Sequence, residues 1–283
     1  MTIFFPFFPT RWAPRSVTIP ARLVSALLLS TCAVLAPAAV VIEVDAVALR
    51  RDVPDLIEHL GQRPEAVRMR EMLISRYGFD PRRDLAHLTI EGEGPGHRPV
   101  LHLVGCPATA MAADLAKTGV GESVPCGLLY ATPRPGMGFI AIDDDEVLVG
   151  PLEALRVHPA VVVNQPASSA AIDVQWIPGA QAHAHLEDIT AAHLTSDGKG
   201  TVQVVATATD ASAAQELERR FLKLREMIDL GAAGKLPRAE LAKAILDSGT
   251  LVREGATLRF NATLPAAVRR ALLARLDIVS GKG

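Results

Sequence analysis

The chain has 283 residues, of which 49% are hydrophobic, 21% charged and only 4% aromatic, with a formal net charge of −2. That balance excludes a disordered chain and the strongly basic surface of a nucleic-acid binder. It calls for a core of mainly aliphatic side chains, in one large or two modest domains.

At the N-terminus, Arg11, Arg15 and Arg22 precede a run from Leu23 to Ile42 that carries no charge. A basic stretch followed by an apolar one is the pattern of an export signal. Residues 1–38 are therefore expected to be a signal peptide or membrane anchor, with small residues suited to cleavage after Ala33 or Ala38. The run is long enough to span a bilayer, so attachment through residues 23–42 is the alternative. Pro37, Ser30 and Thr31 favour the cleaved signal, and "LSTC", ending at Cys32, faintly matches a lipoprotein box. The expected location is the periplasm or cell envelope.

The first strand is expected over residues 39–46. A helix follows over residues 64–78, with Ala66, Met69, Leu73 and Tyr77 as its apolar stripe. The stretch "YGFDPRRDLAHLTIEG" (77–92) then reads as a joint. Gly78 is placed to close the helix in the left-handed conformation, Phe79 to pack back on it, and Pro81 to prevent continuation. Arg82 and Arg83 are expected to cover the last helical carbonyls. The competing reading makes Asp80, Arg82, Arg83 and Asp84 a polar site. The glycines of "EGEGPGHRP" (91–99) match no phosphate-binding loop and read as a hairpin connection. Cys106 and Cys126 are a disulfide candidate in an oxidising compartment, or two thiols acting as small hydrophobes. "IDDDEVLVG" (142–150) offers four acids to calcium, but a hairpin turn explains them without a ligand.

The chain then repeats itself. Strand, turn and Ala-rich helix occur at 100–117 and again at 202–219. A hairpin followed by a proline-marked helix occurs at 140–156 and at 251–272, and the strand at 39–46 matches 169–176. The boundary falls near "VVVNQPASS" (161–169), giving a first repeat over 39–160 and a second over 168–283. A long helix is expected over residues 209–231, with Asp210 as its N-cap. Alternating strands imply an antiparallel sheet covered on one face. The expected fold is α+β: two homologous repeats of antiparallel strands with helices packed on one face. The apolar stripe of the helix at 210–230 outweighs Met111, Ala112 and Leu115 in its counterpart, so the second repeat is expected to supply more of its own core.

The stretch "YGFDPRRDLAHLTIEG", then "VLHLVG" and "GFIAIDDDEVLVGPLEAL", resembles a loose class of exported bacterial proteins of unknown function that share a Gly-Phe-Asp-Pro-x-x-Asp turn. The resemblance covers most of residues 38–277. It implies an exported, duplicated α+β protein and assigns no catalytic residues.

One further cluster carries chemistry. In "AHAHLED" (182–188), a strand would place His183, His185 and Glu187 on one face, a set suited to zinc or a similar ion. An exposed polar strand edge is the competing reading. "NAT" (261–263) matches a glycosylation sequon but sits in an expected strand. No nucleophile elbow or local Cys–His signature is present. These residues point to an exported non-enzymatic protein that binds a partner protein or an apolar ligand and needs no cofactor. The alternative is a metal-binding protein or metal-dependent hydrolase using His183, His185 and Glu187.

Overall fold

The computed structural model describes residues 38–52, 54, 57, 64–92, 98–159, 170–178, 188–233, 237–266 and 268. The fold is α+β, with antiparallel strands, and it divides into two compact units between Ala171 and Ile172; the first strand is described with the first unit, to which its residues from Val41 onward belong.

The first unit runs β1 (Ala38–Asp45), α1 (Ala46–Asp52), α2 (Pro64–Tyr77), α3 (Pro81–Asp84), β2 (His87–Gly92), β3 (Val100–Val104), α4 (Ala108–Ala116), β4 (Glu122–Val124), β5 (Gly127–Ala131), β6 (Met137–Asp143), β7 (Glu146–Pro151) and α5 (Leu152–Val157). Its strands lie in the order β1-β2-β3-β7-β6-β5-β4. The second unit runs β8 (Ile172–Pro178), β9 (Ile189–Ser196), β10 (Thr201–Ala208), α6 (Ala211–Ala233), α7 (Pro237–Asp247), β11 (Gly249–Glu254) and β12 (Thr257–Thr263). Its strands lie in the order β8-β9-β10-β12-β11. Residues 1–37 are outside the described set, while Ala38–Ile42, the end of the uncharged run, belong to β1. No helix among the described residues is long and apolar enough to cross a membrane.

Residues 77–84 form a joint built differently from expectation. Gly78 has φ 68°, and its N–H bonds the carbonyl of Ile74 at 2.9 Å, closing α2. Phe79 turns back into the core beside Leu73. The arginines that follow do not cover α2. Arg83 pairs with Asp84 at 2.8 Å, and Arg82 Nε lies 4.0 Å from Asp80 Oδ1. The clamp comes from Arg70 within α2, whose guanidinium holds both oxygens of Asp80 at 2.8–3.0 Å. Asp80 in turn accepts from the Arg82 N–H, and Asp84 accepts from the Asp80 N–H, so the two acids cap the N-terminus of α3 reciprocally. The Arg70 guanidinium therefore holds the Asp80 carboxyl below the ordinary carboxylate range.

The joint also presses on β3. A Cβ at Gly105 (φ 90°) would lie 2.5 Å from the Asp84 carbonyl oxygen and 2.8 Å from the Ala86 nitrogen. A Cβ at Gly78 would meet nothing within 4 Å. Gly78→Val is therefore expected to cost about 1–2 kcal/mol from left-handed strain alone. Gly105→Val should cost more, because backbone atoms must also move. Urea midpoints of the two variants check the ranking.

The core departs from expectation in two respects. In the first unit, helices cover both faces of the sheet. Phe139, Val147 and Val149 pack with Leu73, Met111 and Leu115 of α2 and α4. The alternating residues Ile140 and Leu148 pack with Val100 and with Leu155 of α5. Strands β6 and β7 are thus buried on both sides, which is why their sequence runs apolar without alternation. The second correction concerns size. Among the described residues, the largest fully buried side chains, Phe139 and Leu73 foremost, all belong to the first unit. The long stripe of α6 misled because it is only partly covered: of Ala214, Leu217, Phe221, Leu224 and Ile228, Ala214 alone is fully buried, and the other apolar residues Leu222, Met227 and Leu230 are exposed. Leu217 and Phe221 do pack inward, the latter against Phe260 at 5.7 Å between ring centres.

Candidate functional site

Pleating sorts each strand into two faces. In the first unit, Leu101 and Leu103 of β3 face the α2–α4 core, so His102 points the other way. Thr89 of β2 lies opposite His102, and Glu146 of β7 lies opposite Val104. The period of two puts His87, Thr89, His102 and Glu146 on one face. His102 Nε2 donates to Glu146 Oε1, with side chains only 13% and 8% exposed. A carboxylate buried this deeply needs such a donor, since an isolated charge in these surroundings is strongly disfavoured.

His87 is half-buried beside this pair, within electrostatic reach of Glu43 and Asp45 of β1. Burial holds its imidazole below the ordinary histidine range; His102 pushes the same way, while Glu43 and Asp45 pull against both. Because the folded value is depressed, the unfolded chain takes up this proton more readily. The stability tied to His87 is fully present above about pH 6.5, the ordinary value, and is lost as pH falls through the lower folded value. Wild-type protein should lose urea resistance between pH 7.5 and 5.5, and His87→Gln should lose less. Equal losses would remove His87 from the account.

A third arrangement resembles a nucleophilic trio. Cys126 Sγ lies 4.0 Å from His158 Nδ1, and His158 Nε2 lies 3.3 Å from Glu91 Oε2. The protons argue against catalysis. His158 Nδ1 sits 3.0 Å from the Pro159 carbonyl, nearer than the sulfur, so a hydrogen on Nδ1 is directed to that carbonyl and not toward the thiol. The thiol donates to the carbonyls of His158 and Pro159, at 3.0 and 3.1 Å. Cys106 is buried elsewhere, its thiol pushed up to about 12 by desolvation, and no disulfide joins the two.

In the second unit, no helix among the described residues covers one face of the sheet. Leu258, Phe260 and Ala262 of β12 point to its buried clusters, so Arg259 and Asn261 point away. Across the neighbouring strands, Asn261 lies opposite Gln203, Gln203 opposite Thr195, and His193 opposite Gln175. Gln203 Nε2 donates to Asn261 Oδ1 at 2.8 Å, which engages the amide of the sequon. His193 Nε2 bonds Asp173 Oδ1 at 2.6 Å, with the imidazole 44% exposed and the carboxylate 5%. Arg259 and Val252, paired across β11 and β12, are exposed beside them. The result is a half-exposed row of hydrogen-bonding side chains fixed by cross-strand bonds.

The other residues marked in the sequence are scattered or structural. His183, His185 and Glu187 lie outside the described residues, and among the described residues no group of three or more His, Cys, Asp or Glu is arranged to hold a metal ion. The acids of residues 143–146 do not converge. Asp143 caps the Asp144 N–H, Asp144 accepts from Thr109, the Asp145 carbonyl accepts from Gly105 and Cys106, and Glu146 turns to His102.

The two histidines of the sheet faces had a sequence signal. "AHLTIEG" (86–92) and "AHLTSDG" (192–198) agree at Ala, His, Leu, Thr and Gly. Each sits on the second strand of its unit, with its histidine facing acids of the first: Glu43 and Asp45 in one, Asp173 in the other.

No family model matches this chain, and no curated protein matches it. Among solved structures, it is similar to TP0453. Crystal form III superposes with a TM-score of 0.42 at 10% identity, covering 85% of this chain and 95% of that one. Crystal form IV gives 0.41 at 9% identity, covering 91% of this chain and 100% of that one. Similarity of this extent carries no argument about the role of either unit.

Proposed function

We propose that this chain is an exported, non-enzymatic protein made of two homologous α+β repeats, and that it binds a partner protein through the open sheet face of the second unit. The observation that carries the binding reading is that face. Helices α6 and α7 lie on the other side of the sheet, and this side presents Gln203, Asn261, His193, Arg259 and Val252 on strands locked by side-chain bonds. Strand-borne groups of this kind offer a rigid surface, which lowers the ordering cost of association. The apolar ligand considered from the sequence finds less support in a face this polar.

What supports duplication is agreement at two levels. The order β8-β9-β10-β12-β11 is the order β1-β2-β3-β7-β6 with the elements renumbered, and the AHLT segments fall on equivalent strands. Export rests on the leader. A reporter active only outside the cytoplasm, fused after residue 45, should give signal, and a cytoplasmic reporter should not.

Binding is tested by changing the surface without the core. Arg259→Glu with Val252→Asp places acids on exposed positions and should leave the urea midpoint within about 0.5 kcal/mol of wild type. In native envelope extracts, wild-type protein should elute from a sizing column in a larger species, and the double variant at its own mass. Identical elution of the two would overturn the assignment.

A further inference from the structure

We draw no further inference here: the strongest candidate, the cluster of Glu43, Asp45, His87, His102 and Glu146 on one sheet face of the first unit, carries nothing because no member of it points to a ligand and its pH response rests on the titration of His87 alone.

Discussion

Phe139→Ala is expected to destabilise the protein by about 3–5 kcal/mol, as the loss of a fully buried aromatic ring commonly does. Phe139 is 1% exposed at the centre of β6, packed among Leu73, Met111, Met137 and Val149. The neighbouring positions leave little room for collapse. A Cβ at Gly138 would already lie 2.6 Å from Leu129 on the opposite face. Phe221→Ala in α6 is the internal control. Its ring meets Phe260 but is only partly buried, so the change should cost clearly less. Urea unfolding followed by circular dichroism would rank the two. A larger loss at Phe221 would restore the expectation that the second unit holds the stronger core.

The second large effect is electrostatic. His102→Leu leaves the Glu146 carboxylate buried without its partner, and breaking such a pair from one side typically costs about 3–5 kcal/mol. Replacing both residues with leucine removes the stranded charge as well as the bond. The double variant His102→Leu/Glu146→Leu should therefore recover most of the stability lost by His102→Leu alone. The cycle separates coupling from packing. Additive losses would show that the two side chains do not act as a pair.

The strand–turn–helix segments at 100–117 and 202–219 were legible because each depends on local periodicity, alternating in the strand and helical after the turn. The joint after Tyr77 was legible for the same reason: glycine, then proline, terminates a helix wherever it occurs. Its arginines were not, since Arg70, not Arg82 or Arg83, finds the acid, and that choice is made by the path of the chain after α2. The covering of both sheet faces was marked only by the unbroken apolar run of β6 and β7, which periodicity alone does not separate from a buried helix. The paired histidines were legible in principle through the AHLT segments. The acids were not: Asp173, which holds His193, and Glu146, which holds His102 outside those segments, are set by cross-strand register 20 and 44 residues from their histidines. Apolar spacing made α6 look like the main core helix, yet spacing does not say how much of a stripe the rest of the fold covers.

The most direct measurement of the central claim is site-specific photocrosslinking in cells. A photoreactive residue at Val252, on the open face of the second unit, should give one dominant adduct with a second protein, and Arg259→Glu should abolish it. The same residue at Lys223, on an exposed part of α6, should give no such adduct. Equal adducts from both positions, or an adduct at Val252 that is indifferent to Arg259, would contradict the sheet-face account.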